Sequence, residues 1–189
     1  SGRILINGYD LHQEKDSLQG IIGYVPQEDL LKEELTVFEN LWFNARLCFN
    51  NLSKEGIKKL VENALQDFDL VEARDLVVGT PLNKILSGGQ RKRLNIALEL
   101  IREPSILFVD EPTSGLSSMD SEKVMLLLKR QVLKGKLVII NIHQPSSDLY
   151  KLLDKLMMID KGGRIIYSGN PMDAIAYFKK EANYVNPEE

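Results

Sequence analysis

The sequence predicts an α/β fold in which a mostly helical insert, residues 28 to about 102, interrupts a strand-bearing core. Three observations carry that prediction. Ile106-Leu107-Phe108-Val109 is a short apolar run ending in Asp110-Glu111-Pro112. It reads as a buried strand that delivers two carboxylates to a sheet edge, with Pro112 stopping the ladder. Leu137-Val-Ile-Ile-Asn-Ile142 reads as a second apolar strand, ending at His143. Between Thr36 and Phe68 the apolar spacing is that of helices instead.

Taken in order, residues 3–7 and Ile21-Ile22-Gly23-Tyr24-Val25 read as strands, with Gly8 as a turn and Pro26-Gln27 closing the second. Thr36-x-x-Glu39 is a capping box, followed by apolar Phe38, Leu41, Trp42, Ala45 and Phe49 on one helical face. The Phe38/Trp42/Phe49 stripe is expected to form core. Ser53 caps the next helix, where Ile57, Leu60, Val61, Ala64, Leu65 and Phe68 keep the period and Lys54, Glu55, Lys58, Lys59 and Glu62 lie outside. After Leu116, Ser117-x-x-Asp120 caps a helix running to about Leu133, which Gly135 ends. A short helix follows from Ser146 to Leu153. Leu156–Ile159 and Arg164–Tyr167 are strands joined by Asp160-Lys-Gly-Gly163. Asn170-Pro171 starts the last helix, with asparagine as N-cap and proline at the first helical position. The polar tail to Glu189 is expected to fray.

Composition narrows the function classes. A chain of 189 residues can build one domain with a proper core, and 43% hydrophobic with 27% charged residues is ordinary for a globular protein. A formal net charge of -3 argues against a nucleic-acid partner, whose footprint would be basic. The single Cys48 excludes an internal disulfide and a cysteine zinc cluster. No apolar run in these 189 residues approaches the ~20 of a membrane span, and none of them is expected to form a signal peptide.

The chemistry concentrates in Leu86 to Leu116. Ser87-Gly88-Gly89-Gln90 opens a helix whose small residues let backbone N–H groups approach an anion, at the end where the helix dipole favours negative charge. Asp110 and Glu111 suit a metal ion and an activated water. A phosphate grip beside a metal-and-base pair implies phosphoryl transfer on a nucleotide. Taken singly these signals are weak: most strands that end in Asp-Glu only reach a polar turn, and Gln27 alone is uninformative. Arg91-Lys92-Arg93 reads as a solvated basic helix face that helps attract nucleotide or packs at an interface. His12 reads as a surface residue.

In combination the motifs resemble the nucleotide-binding domain of ATP-binding cassette (ABC) proteins. Leu86-Ser-Gly-Gly-Gln90 is similar to the family signature, and Ile106 to Glu111 to its Walker B strand with the following glutamate. Gln27 resembles the Q-loop and His143 the H-loop. The phrases Ser-Gly-Gly-Gln-Arg-Lys-Arg-Leu94, Glu111-Pro-Thr-Ser-Gly-Leu116, Ile142-His-Gln-Pro-Ser-Ser147 and Tyr167-Ser-Gly-Asn-Pro171 resemble the White-type G subfamily of half-transporters. The resemblance implies a P-loop NTPase-like (RecA-like) core at 1–27 and 103–189, with a helical subdomain at 28–102 that bears the signature. It implies ATP and Mg2+ as cofactors. Asp110 would hold magnesium through water, Glu111 would orient or deprotonate the attacking water, and Gln27 would sense both. His143 would donate to the γ-phosphate. Ser87, Gly88, Gly89 and Gln90 would grip the γ-phosphate of a nucleotide held by a second nucleotide-binding domain. The implied partners are that second domain and the transmembrane domain of a transporter, with this domain on the cytoplasmic face of the membrane.

The chain departs from the family pattern twice. No Gly-x-x-x-x-Gly-Lys-Ser/Thr loop occurs, which leads to the expectation that the chain is a piece starting downstream of the Walker A strand and helix. Such a piece is expected to be inactive alone. It is also expected to have a gap between the strands at 137–142 and 156–159, closed by rearrangement or by self-association. Second, Ser117 stands where the D-loop aspartate would be. Two alternatives stay open: a soluble ABC ATPase outside transport, and an interaction module that does not turn over nucleotide. The absence of coiled-coil heptads disfavours the first, and intact Glu111 and His143 the second.

Overall fold

The structure is a computed structural model that describes residues 2–80, 83 and 85–183. The expected fraying of the tail therefore lies outside the described residues from 184 onward. The chain divides into two compact units, one reaching His143 and one starting at Gln144.

In the first unit, β1 (Leu5–Ile6) and β2 (Tyr9–Asp10) form a small antiparallel hairpin, followed by a 3-10 turn at Lys15–Leu18. Asp10 ties this corner together. Its carboxylate accepts from the backbone N–H groups of His12 and Gln13 and from Arg3 Nε, and these bonds hold its carboxyl below the usual range. Next come β3 (Ile22–Val25), the helices α1 (Val37–Cys48), α2 (Lys54–Asp67) and α3 (Gly88–Leu100), then β4 (Ile106–Asp110), α4 (Ser118–Leu133) and β5 (Leu137–Asn141). β3, β4 and β5 are parallel neighbours in that order, with Val25 beside Val109 and Asp110 beside Asn141. The three helices between β3 and β4 occupy the stretch read as an insert.

The helix starts are those the capping chemistry dictates. Thr36 and Glu39 form the reciprocal capping box of α1, and the side chains of Ser53 and Ser117 accept from the third residue of α2 and α4. In α2 the fully buried positions are Ile57, Val61 and Leu65, as the period predicts. In α1 the core is Val37, Leu41 and Ala45, each 0% exposed, not the aromatic stripe. Phe38 and Trp42 lie one position around the helix, half-buried and stacked with ring centroids 5.7 Å apart, and the Arg74 guanidinium covers Phe38 at 4.4 Å. The row of α1 packed against its neighbours α2 and α3 is aliphatic, and the larger rings flank it.

The apolar strand runs are not buried on both faces. Leu107 and Val109 are at most 1% exposed, whereas Phe108 is 38% and Ile139 42% exposed. α3 packs on β3 and α4 on β5. The register places Tyr24, Phe108 and Ile139 side by side, and Ile22, Ile106 and Leu137 in the next row, on the opposite face. Both apolar runs thus belong to a sheet whose second face remains open. Parallel strands with continuous apolar runs are ordinarily covered on both sides.

In the second unit, α5 (Ser147–Tyr150) precedes an antiparallel pair, β6 (Leu156–Ile159) and β7 (Ile165–Gly169), and α6 (Pro171–Asn183) closes the chain. Asn170 accepts the Met172 N–H, the expected cap. Tyr167, Tyr177 and Phe178 form an aromatic cluster with centroids 5.0 to 6.1 Å apart. β6 pairs with β7 and β5 with β4, so the described strands form separate sheets, not one continuous sheet.

Leu41→Ala would leave a cavity at the fully buried meeting point of α1 with α2 and α3. The expected cost is about 2 to 5 kcal/mol in equilibrium denaturation, while Phe43→Ala, at a 51% exposed position of the same helix, is expected to change stability by about 0.5 kcal/mol or less.

Candidate active site

Parallel pairing of β3 with β4 brings the ends of both strands to one edge. Gln27 follows β3 by two residues, and its Nε2 donates to Glu111 Oε2 at 2.9 Å. Asp110, the last residue of β4, is held from the neighbouring strand: Asn141 Nδ2 donates to its Oδ1 at 2.9 Å. Pleating would send Asp110 and Glu111 to opposite faces. The strand ends between them, and the backbone of Glu111 is left-handed, with φ of 40°. That conformation costs a non-glycine residue about 1 kcal/mol or more, offset in part by the Glu111 N–H donating to Asn141 O at 2.9 Å. His143 lies two residues past β5 and is exposed. The structure therefore joins Gln27, Asp110 and Glu111 through hydrogen bonds and strand pairing. Among the described residues no hydrogen bond links His143 to these three.

Ser87-Gly88-Gly89-Gln90 is itself a capping box. Ser87 Oγ accepts from the Gln90 N–H at 3.1 Å, and Gln90 Oε1 accepts from the Ser87 N–H at 2.9 Å. The two glycines differ. Gly88 is exposed, whereas Gly89 is buried against the first turn of α4, where a Cβ would collide with the Asp120 carboxylate. Small size at Gly89 is required by helix packing, beyond any approach of an anion. Asp120 itself caps α4 together with Ser117, as expected.

The basic triplet departs from the sequence reading. Arg91, Lys92 and Arg93 are 8%, 5% and 5% exposed, so they do not form a solvated face. Arg91 Nε donates to Asp29 Oδ2 at 2.9 Å, and its Nη1 to the carbonyls of Gly79 and Val78 at 2.8 and 3.2 Å. Lys92 Nζ donates to Gln27 O at 2.9 Å. Arg93 Nη2 donates to Asp69 O at 3.3 Å, and its Nη1 lies 4.0 Å from Asp120 Oδ1. The reason is position: α3 packs against α1, α4 and β3, so little of its circumference reaches water. Burial pulls the Lys92 ammonium below the usual lysine range, opposed by the charges of Asp29, Asp110 and Glu111.

A cavity of 420 Å³ opens among these groups, lined by Gln27, Asp29, Gly88, Arg91, Lys92 and Leu116, among others. It lies between the loop of Gln27, the start of α3 and the turn after Glu111. Among the described residues no cluster of three His, Cys, Asp or Glu side chains could hold a metal ion. The donor set of Asp110 and Gln27 suits a hard cation that keeps most of its waters, as Mg2+ does, and not one that needs a full protein cage.

Sequence reasoning missed Asn141 and Lys92. Asn141 had a signal, since it is the one polar residue inside an apolar strand run. Lys92 had none: its partner lies 65 residues away, and that of Arg91 lies 62 away.

Three parallel strands with acids at one end, and a helical segment between the first and second, define a P-loop NTPase-like α/β core. The chain belongs to the ABC transporter family: the profile described as ABC transporter matches residues 1–114. A second profile, ABC-2 type transporter, matches residues 143–188. Among the described residues no helix is long and apolar enough to cross a membrane. ABC transporter G family member 28 of Arabidopsis thaliana is 41% identical over 189 residues, covering 100% of this chain and 17% of that protein. Broad substrate specificity ATP-binding cassette transporter ABCG2 of Bos taurus is 40% identical over 179 residues, covering 94% of this chain and 27% of that protein. The chain thus spans about a quarter or less of these relatives. A solved structure of cbiO1 from Clostridium perfringens, titled as part of the ABC transporter complex cbiONQ, superposes with a TM-score of 0.78 at 32% identity, over 99% of this chain and 74% of that one.

Gly89→Ala is expected to lower stability by about 1 to 2 kcal/mol in urea denaturation, because overpacking against Asp120 exceeds the gain an alanine brings to a helix. A variant as stable as the parent would show that Asp120 yields freely.

Proposed function

We propose that this chain is part of the ATP-binding and ATP-hydrolysing domain of an ABC transporter, facing the cytoplasm and driving substrate movement across a membrane. The single observation that carries the reading is the hydrogen bond from Gln27 to Glu111 at the edge where Asp110 ends β4. It joins a cation-type carboxylate, a water-activating carboxylate and an amide in one place. The names of the relatives support transport, and the ABC-2 match from residue 143 supports a transmembrane partner.

In this reading Asp110 would hold magnesium through water; Asn141 engages one of its oxygens and leaves the other available. Magnesium, when bound, neutralises phosphate charge. Glu111 accepts the proton of the attacking water or orients it. Gln27 donates to Glu111 through its amide nitrogen, which leaves the amide oxygen to accept from water on the cation. His143 donates an N–H to the γ-phosphate, a role that needs no positive charge. Ser87, Gly88, Gly89 and Gln90 present donors to the nucleotide of a second nucleotide-binding domain. Residues 28–102 act as the helical subdomain that meets the transmembrane partner, and 1–27 with 103–189 as the core.

In the full-length protein, Glu111→Gln is expected to lower the ATPase kcat by about 10²-fold or more. Turnover that survives this substitution would overturn the reading. The 189-residue chain alone is expected to bind no ATP in calorimetric titration with Mg2+, because its sequence holds no backbone cradle and lysine for the phosphates. The open sheet face bearing Tyr24, Phe108 and Ile139 is expected to make that chain self-associate. Light scattering on a sizing column reads this, and a monodisperse monomer would contradict it.

A further inference from the structure

Lys92 is the feature that the functional reading leaves unexplained. It lies two residues past the capping box of α3, 5% exposed, on the helix that carries the Ser87–Gln90 motif. Its ammonium donates to the backbone carbonyl of Gln27 at 2.9 Å. The same residue's side chain then donates to Glu111 at 2.9 Å. Two hydrogen bonds in series therefore connect α3 to the carboxylate at the end of β4.

A buried lysine is a costly choice for this connection. An apolar side chain of similar length would fill the space without desolvating a charge. What an apolar side chain lacks is a donor aimed at a main-chain carbonyl. Gln27 is exposed and lies beyond the last ladder pair of β3, so sheet hydrogen bonds do not fix its backbone. Lys92 supplies that restraint. Its neighbour Arg91 holds the same loop two residues further on, through the side-chain carboxylate of Asp29 and not through a main-chain carbonyl. The loop is thus held to α3 at two points, and Lys92 holds the one that carries the site glutamine.

We propose that Lys92 is a positioning residue for ATP hydrolysis: it fixes the main chain of Gln27 so that the glutamine amide reaches Glu111, and so ties the signature helix to the water-activating carboxylate of its own chain. This rests on the ATPase reading above. A displacement of α3 is then transmitted to the Gln27–Glu111 contact through Lys92.

The test uses steady-state ATPase of the full-length protein, per folded protein, with Glu111→Gln as control. Lys92→Met keeps the stem and removes the donor, and it is expected to lower kcat by roughly 10- to 100-fold. KM for ATP is expected to stay within about twofold, since the lost interaction acts on the chemical step. Lys92→Arg keeps a donor and is expected to recover about tenfold or more of the loss. In a Gln27→Ala background, Lys92→Met is expected to cost about twofold or less, because the residue through which it acts is already gone. Undiminished kcat in Lys92→Met would overturn the proposal, as would an equal loss in both backgrounds or no recovery by arginine. If Lys92→Met does not yield folded protein, the arginine variant in both backgrounds decides: a kcat within about threefold of the parent where Gln27 is present supports the proposal, and a loss that is equal with and without Gln27 overturns it. Failure of the ATPase reading itself looks different, because Glu111→Gln would then leave turnover intact.

Discussion

Burying three consecutive cations on one helix is the constraint around which the first unit is built. A charge removed from water costs several kcal/mol unless it is paired and hydrogen-bonded. Residues 91, 92 and 93 point about 100° apart around α3, so their partners have to come from three sides. They do: Asp29 with the carbonyls of Val78 and Gly79, the carbonyl of Gln27, and Asp69 with Asp120. The loop after β3, the segment after α2 and the start of α4 are thereby fixed to one helix. The arrangement is not saturated, for Nε and Nη1 of Arg93 and Nδ2 of Asn95 are buried with no hydrogen-bond partner among the described residues. The ion pair to Asp120 offsets part of that deficit at Nη1.

The sheet contributes direction. Covered by α3 and α4 on one face, it aims Asp110 from the other, in the same parity as Phe108 and Ile106. The exposed apolar rows and Asp110 thus share a face. Glu111 lies past the end of β4 and its backbone is left-handed. The strain stays local because Asn141 holds both acids, its carbonyl accepting from the Glu111 amide and its side-chain amide donating to Asp110.

Local chemistry was legible in the sequence and long-range pairing was not. Thr36 with Glu39, Ser53, Ser117 and Asn170-Pro171 each mark a helix start because capping involves residues three apart. The runs at 106–109 and 137–142 declare strands by composition. They do not declare which face is covered, since an open apolar face and a buried one are written with the same letters. Arg91-Lys92-Arg93 was misread for a related reason: a basic triplet is solvated unless partners lie near, and these partners lie far along the chain. The aromatic residues of α1 were placed on the correct side of the helix but too deep, because periodicity gives direction and not depth. At the site, the motif residues Gln27, Asp110 and Glu111 were legible as a set, whereas Asn141 and Lys92 become visible only once β5 and α3 are in place.

The Ser87–Gln90 capping box shows which polar groups of the motif its own helix uses and which it leaves over. Capping uses the acceptors of this motif: Ser87 Oγ accepts from the Gln90 amide, and Gln90 Oε1 accepts from the Ser87 amide. It leaves the donors, namely the Ser87 hydroxyl proton, the Gln90 side-chain NH2 and the amides of Gly88 and Gly89, which have no intrahelical acceptor in the first turn. A helix start whose side-chain oxygens are engaged and whose N–H groups are spare favours an anion without first breaking a bond. Glutamate in place of Gln90 would keep the cap but add a negative charge and remove two donors. The cap alone therefore does not require glutamine at position 90, whereas a phosphate opposite the helix gives the neutral amide an advantage.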